Sequence, residues 1–162
     1  MKNIVRLRKV QETDAHFLWA LANDSEVRAA SFSPNAIPWE EHLAWLKERL
    51  KDPSCIFFIL QKDDAAIGQV RFDKTNKEAV ISISIEKAYR GKGLATHSIK
   101  ISTWQIFKTT EIMTIHAYVK ADNTASVSAF LRADFNDCGK ALVKGNKSIH
   151  LIKERQENGS TD

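Results

Sequence analysis

The stretch from residue 81 to residue 95 constrains the fold more than any other part of this sequence. Isoleucine alternates with serine over 81–85, which predicts a β-strand, and a helical pattern begins near residue 94. Between them lies Arg90-Gly-Lys-Gly-Leu-Ala95, whose glycines permit a tight turn and close approach to another molecule. A strand, a glycine loop and a helix N-terminus direct free N–H groups at one point, and Arg90 and Lys92 add charge. The stretch therefore predicts an anion site suited to a diphosphate.

The glycine spacing separates this loop from two common nucleotide-binding loops. It contains neither Gly-x-Gly-x-x-Gly nor Gly-x-x-x-x-Gly-Lys-Ser/Thr. The loop instead resembles the Arg/Gln-x-x-Gly-x-Gly/Ala signature of the GNAT acyltransferases, through Arg90, Gly93 and Ala95. This resemblance implies that backbone amides hold the pyrophosphate of acetyl-coenzyme A. The loop residues implied in cofactor binding are Arg90, Gly91, Lys92, Gly93, Leu94 and Ala95.

Length and composition predict one globular domain. The chain has 162 residues, 43% of them apolar, which suffices for a single core, and we expect a domain over 1–153 followed by a disordered tail over 154–162. No apolar run is long enough to span a bilayer, so we expect a cytoplasmic protein without a membrane partner. The net charge of +4 comes from basic residues mixed with acidic ones, which disfavours nucleic acid as a partner. The spacing of Cys55 and Cys138 predicts no metal site.

Hydrophobic periodicity predicts the order of the elements. A strand over 3–10 and helices over 13–23 and from residue 38 precede three antiparallel strands over 55–60, 66–73 and 81–85. A helix over 93–108, a strand over 112–119, a helix over 123–133 and a hairpin over 135–152 follow. We therefore expect an α+β protein with a mixed, mostly antiparallel sheet of seven strands and about four helices. Strand five should pair parallel to strand four through a right-handed crossover. This order is similar to the GNAT fold, which implies that these two strands splay apart.

The two longer helices have apolar stripes at helical spacing. The first stripe predicts burial of Trp39, Leu43, Leu46 and Leu50. His42 and Trp45 lie off it and are either a surface pair or part of an acceptor pocket. The second stripe predicts burial of Leu94, His97, Ile101 and Trp104, with His97 as a core histidine.

A second segment, 119–135, resembles the other GNAT signature. Asn123 and Ser126 match it, which implies contact between Asn123 and coenzyme A, although Asn123 is also a typical helix N-cap. Phe130 stands where the family often has a tyrosine that donates a proton to the departing thiolate. The general acid would then be another group, a water, or absent. Asp134 replaces a usual glycine at the helix C-cap, a position that favours left-handed φ.

The reaction that the resemblance implies is direct acetyl transfer from a thioester to an uncharged amine, without a metal. The amides of the pantetheine arm would pair with Ile83, Ser84 and Ile85 like an added strand, and an N–H near Ile83 would polarise the thioester carbonyl. Candidate general bases are His116, Asp73 and Glu78. Each has a structural or solvated alternative, and a relay through water remains open.

A looser resemblance concerns the acceptor. Segments 23–28, 41–45, 57–60, 67–73 and 81–85 are together similar to the amino-sugar acetyltransferases of pseudaminic and legionaminic acid biosynthesis. This implies a nucleotide-linked amino sugar as acceptor, with Gln69 and Arg71 on the acceptor side. The alternatives are a protein or peptide N-terminus such as that of a ribosomal protein, another small amine, or a non-enzymatic module that binds coenzyme A or nucleic acid. The sequence leaves open whether the protein is a monomer or a homodimer.

Overall fold

The computed structural model describes residues 4–156, which form a seven-stranded mixed sheet covered by helices on both faces. The strands are β1 Val5–Lys9, β2 Cys55–Lys62, β3 Ala65–Thr75, β4 Glu78–Ile85, β5 Thr114–Lys120, β6 Asn136–Val143 and β7 Asn146–Glu154. The helices are α1 Ala15–Ala22, α2 Ser25–Ala30, α3 Trp39–Lys51, α4 Leu94–Thr109 and α5 Thr124–Arg132. The sheet order is β1-β2-β3-β4-β5-β7-β6, and only β4 and β5 pair in parallel within it. The predicted fold class is therefore confirmed.

Two local predictions near the N-terminus are wrong. The first helix begins at Ala15 instead of Thr13, because residues 12–14 form a 3-10 turn in which Asp14 accepts a hydrogen bond from the Gln11 amide. The sequence patterns predict no helix between residues 23 and 38, but Ser25–Ala30 form α2. Asp24 caps this short helix by accepting hydrogen bonds from the amides of Glu26 and Val27.

The sheet separates two hydrophobic cores. Phe58 and Leu60 of β2 belong to the larger core, beneath α4 and α5, whereas Phe57 and Ile59 point to the smaller core beneath α1 and α3. This alternation explains why β2 is apolar on both faces.

The buried faces of α3 and α4 differ from the apolar stripes that the sequence predicts. Helix α3 buries His42 and Leu46, whereas Leu50 is 36% exposed. Helix α4 buries several small hydroxyl residues, while Trp104 is 59% exposed and His97 is only half-buried, so His97 is not a core histidine. Two of the buried hydroxyls bond to carbonyls of their own helix and can therefore face the core: Ser102 donates to Ser98 at 2.7 Å and Thr103 to Ile99 at 2.8 Å.

The parallel pair β4–β5 separates along its length. Its register contains three pairs, Glu78 with Thr114, Ala79 with Ile115 and Val80 with His116. Beyond Val80, β4 remains paired with β3 up to Ile85 but not with β5 in the described sheet. The predicted splaying is therefore present, and the backbone groups of 81–85 on this side are available to another molecule.

The C-terminal boundary lies later than predicted. Strand β7 continues through Glu154, and Arg155 donates hydrogen bonds to the carbonyls of Thr110 and Ile112. The first residues assigned to a tail over 154–162 therefore contact the domain. Residues 157–162 lie outside the described part of the chain.

Candidate active site

The opening between β4 and β5 widens into a cleft of about 1470 Å³. One wall, the loop side, consists of the loop after β4, the start of α4, and α5. The opposite wall, the aromatic side, is formed by residues of α3, β2 and β3. The residues that define the aromatic side are His42, Trp45, Phe57, Gln69, Arg71 and Asp73. The separated parts of β4 and β5 lie between the walls, and Ile83, Ser84 and Ile85 line the cleft.

The loop side has the geometry of an anion site. Gly91 and Gly93 both have φ of +76°, and Gly93 is the N-cap of the 16-residue helix α4. A Cβ added to Gly93 would meet no heavy atom within 4 Å, so the loop backbone is open to an incoming group. The first amides of α4 have no partners within the helix, and the helix dipole favours negative charge there. Leu94 and Ala95 follow in the cleft wall, whereas Lys92 is exposed, with its ammonium 5.9 Å from the Tyr89 ring centroid.

Arg90 makes three contacts within the protein that the sequence did not predict. Its guanidinium donates to the Ile85 carbonyl at 2.8 Å, to Glu26 at 2.8 Å and to Asp24 at 2.9 Å. Burial alone would raise the pKa of Asp24, but hydrogen bonds from Arg90 and from backbone amides outweigh this and hold that pKa below its usual value. The charge of Arg90 is thus balanced by two carboxylates, and the side chain ties the loop to α2.

The start of α5 agrees with the second signature. Asn123 accepts a hydrogen bond from the Ser126 amide at 3.2 Å, so its capping role is confirmed, and both residues also line the cleft. Phe130 lies in the wall, 3% exposed, with its ring packed edge-on against Phe135. Asp134 has φ of +72°, which matches the left-handed conformation expected at this C-cap.

Aromatic rings and an ion pair dominate the aromatic side. The Trp45 ring lies 5.6 Å from that of His42 and 5.9 Å from that of Phe57, measured between centroids. Arg71 stacks on this cluster, 5.2 Å from the Trp45 centroid, and its Nε donates to Asp73 at 3.1 Å. Gln69 Nε2 donates to Ser84 Oγ across the sheet at 2.7 Å. His42 and Trp45 both line the cleft, and His42 is buried, so they are not a surface pair.

The three candidate bases fall into two groups. Glu78 Oε1 lies 2.5 Å from His116 Nε2, and His116 Nδ1 lies 2.8 Å from His150 Nε2. This cluster is beside the cleft, whose lining includes neither Glu78 nor His116. Asp73 does line the cleft, but its carboxylate already forms an ion pair with Arg71.

Sequence reasoning missed His150 and Tyr118. His150 of β7 pairs with Tyr118 of β5, and their rings stack with centroids 4.6 Å apart. Burial and repulsion from His116 lower the pKa of His150, which favours its neutral form. Tyr118 lines the cleft in the separated part of β5. The alternation of β5 places Tyr118 on the same face as His116, so this signal could have identified it.

Neither a metal centre nor a membrane span is found in residues 4–156. No group of three or more His, Cys, Asp or Glu side chains there could hold a metal ion. No helix in the same range is long and apolar enough to cross a membrane.

Comparison with known proteins identifies the family. Residues 5–136 match the model of the "Acetyltransferase (GNAT) domain", so the chain belongs to the GNAT acetyltransferase family. It is 23% identical over 141 residues to spermidine N(1)-acetyltransferase of Escherichia coli K12, covering 85% of this chain and 76% of that protein.

Solved structures share the fold. The aminoglycoside acetyltransferase AAC(6')-Ib, in complex with ribostamycin and coenzyme A, has a TM-score of 0.85 at 18% identity and covers 98% of each chain. The spermidine N-acetyltransferase of Vibrio cholerae, in complex with coenzyme A and spermine, has a TM-score of 0.84 at 19% identity, covering 93% and 95%. The ribosomal L7/L12 α-N-protein acetyltransferase RimL, in complex with coenzyme A, has a TM-score of 0.82 at 15% identity, covering 94% and 95%.

Proposed function

We propose that this protein transfers the acetyl group of acetyl-coenzyme A to a primary amine on a sugar, foremost a nucleotide-linked amino sugar. The observation that carries the proposal is the cleft itself. It joins an open helix N-terminus and an unpaired strand edge to a wall of aromatic side chains within one cavity.

The loop side is suited to coenzyme A. The amides of 90–95 and the N-terminus of α4 would hold the pyrophosphate, while the unpaired backbone of 81–85 would bond the amides of the pantetheine arm. Asn123 and Ser126 lie at the same wall and would contact the arm. Acetyl-coenzyme A supplies the acetyl group as an activated thioester, and a metal has no part in the proposed reaction.

The chemistry requires a nucleophilic nitrogen and a tolerable leaving group. The amine nitrogen forms a bond to the acetyl carbon, the carbon–sulfur bond breaks, and the nitrogen loses one proton to a base or to water. A thiol such as that of cysteine has a pKa of about 8.5, so a thiolate can leave without strong acid assistance. This is consistent with Phe130 in the wall, because a phenyl ring has no proton to donate.

The charges of the cleft favour a sugar over a polycation. The wall carries four acidic residues. Asp73 is bonded to Arg71 and Glu26 to Arg90, whereas Glu41 and Asp122 form no ion pair within residues 4–156. Five basic residues line the same wall: Arg28, Arg71, Arg90, Arg132 and Lys144. A polyamine or an aminoglycoside carries several positive charges, which this small excess of basic side chains disfavours. Trp45, which is 36% exposed, would contact the sugar, and the Arg71 guanidinium over its ring would meet a nucleotide phosphate.

The test is release of coenzyme A thiol over an amine panel. The panel contains a nucleoside-diphosphate-linked amino sugar, the same sugar without the nucleotide, ribostamycin, spermidine and a peptide with a free N-terminus. We expect the nucleotide-linked sugar to have the highest kcat/KM and removal of the nucleotide to lower it. A higher kcat/KM for spermidine or the peptide would show that the proposed acceptor is wrong. Salt-sensitive binding to DNA without thiol release would instead support a nucleic-acid module.

Location in the cytoplasm and the choice between monomer and homodimer remain predictions from the sequence. Size-exclusion chromatography with light scattering would decide the oligomeric state.

A further inference from the structure

Two buried polar atoms without hydrogen-bond partners belong to the aromatic side. Among the described residues, four buried side-chain atoms lack a partner: His42 Nε2, Gln69 Oε1, Arg49 Nε and Ser98 Oγ. His42 and Gln69 line the cleft, whereas Ser98 and Arg49 do not. Leaving a buried polar group unpaired destabilises a folded protein, so each such atom needs an explanation.

The first of these atoms, His42 Nε2, belongs to a side chain that lines the cleft. The residue is 3% exposed on α3, and burial lowers its pKa more than a contact with the Ala15 backbone raises it. The ring is therefore neutral at physiological pH, with one N–H and one acceptor nitrogen. With the proton on the nitrogen that faces the Ala15 backbone, the unpaired Nε2 is a hydrogen-bond acceptor. The Trp39 and Trp45 rings flank His42 at centroid distances of 6.4 and 5.6 Å in tilted arrangements, and neither donates a hydrogen bond to Nε2.

Gln69 presents a second acceptor nearer the separated strands. Its Nε2 donates a hydrogen bond to Ser84, which lies in the part of β4 that is not paired with β5. The other end of the amide, Oε1, has no partner among the described residues. Since the pantetheine arm would lie along 81–85, this oxygen is the nearer of the two acceptors to the expected position of the thioester.

The geometry points to these two atoms as the recognition site for hydrogen-bond donors of the acceptor: Gln69 Oε1 receives an N–H of the reacting amine, and His42 Nε2 receives a second donor of the same molecule. Helix α3 packs over β2, while the Gln69 amide reaches β4. The two acceptors therefore belong to different elements of the aromatic side, one on α3 and one on β3. This inference rests on the proposed function and narrows its substrate class.

The substrate class is an amine with a second hydrogen-bond donor, a hydroxyl or another N–H, elsewhere in the same molecule. A sugar ring with an amine and hydroxyl groups fits, whereas a simple alkylamine has nothing to offer His42. Binding of such a molecule would satisfy both atoms, which explains why a destabilising arrangement is retained in the unliganded protein.

The first experiment compares three variants. Gln69→Met and His42→Phe remove the two cleft acceptors, and Ser98→Ala removes an unpaired buried hydroxyl in α4 that does not line the cleft. We expect His42→Phe and Gln69→Met each to raise KM for the best acceptor of the panel about tenfold, as loss of one hydrogen bond would. Coenzyme A affinity should stay unchanged in all three. His42→Phe and Ser98→Ala should raise Tm by about 2–4 °C without ligand.

The second experiment distinguishes recognition from a structural role. His42→Phe is assayed with the best acceptor and with its analogue lacking the second donor. We expect the variant to lose its preference for the complete acceptor while turning over the analogue as the wild type does. An equal effect on both molecules, or an unchanged KM with a raised Tm, would overturn the inference and leave the proposed function standing. Coenzyme A binding without turnover of any acceptor by the wild type would overturn the proposed function and this inference together.

Discussion

The two walls of the cleft are built in different ways. The loop side comes largely from the loop after β4 and the start of α4, residues 86–95, and would offer backbone amides to coenzyme A. The aromatic side is assembled from α3, β2 and β3, and offers side chains. Backbone amides are present whatever the side chains are, so the loop side depends on shape. The aromatic side depends on residue identity, and its specificity can change with single substitutions.

The largest expected effect is on the loop side. Gly93→Glu would place a carboxylate where the amides face an anion and would strain a backbone with φ of +76°. We expect coenzyme A affinity to fall at least about 100-fold, measured by calorimetry, with circular dichroism unchanged. Gly139→Glu is the matched control, because Gly139 also has positive φ and open space around it but lies outside the cleft. Unchanged coenzyme A affinity in folded Gly93→Glu would refute the loop assignment.

The next effect tests the aromatic side. Trp45 and Leu50 are both on α3 and both 36% exposed, but only Trp45 lines the cleft. We expect Trp45→Ala to raise acceptor KM about tenfold, because it removes the ring beneath Arg71, with coenzyme A affinity unchanged. Leu50→Ala should leave both constants unchanged. Equal KM values for the two variants would show that the acceptor does not contact this wall.

A smaller effect is expected at the connection between loop and α2. Arg90→Gln breaks the bonds to Asp24 and Glu26, and should reduce the free energy of unfolding by about 1 kcal/mol, since both pairs are partly solvated. Coenzyme A affinity should change less than about threefold. A tenfold or greater loss would mean that the guanidinium contacts the cofactor, as the sequence first indicated, and that the loop side also depends on side-chain chemistry.

The smallest effect concerns pH. Burial lowers the pKa of His42 and His150 below the ordinary value of 6.5, so below pH 6.5 the unfolded chain binds protons that the native protein does not. Stability should therefore fall as pH drops from about 6.5 towards the native pKa values, by less than about 1.4 kcal/mol per pH unit for each group. Urea unfolding at pH 7.5 and 5.5 measures this. His42→Phe should reduce the difference, and an unchanged difference would contradict a buried neutral ring.

The same contrast explains what could be predicted from the sequence. Alternation and helical periodicity determine which elements form, and most of the loop side is one contiguous segment. The fold and the loop side could therefore be predicted from the sequence. Helix α2 was missed because six residues carry little periodic signal, and it is held by the Asp24 cap and by Arg90, which is distant in sequence. His150 was missed because its contact with His116 depends on the register of β5 and β7. The face of α3 was misjudged because His42 counted as polar although it is buried.

The gap in the ladder between β4 and β5 has a thermodynamic consequence. The backbone groups of this gap would form hydrogen bonds only when the co-substrate is bound. The folding equilibrium of the protein therefore depends on the concentration of that co-substrate. At a concentration 100-fold above Kd, the linkage would add about 2.7 kcal/mol to the free energy of unfolding. Starvation for acetyl donor would therefore remove this contribution to stability as well as slow the reaction.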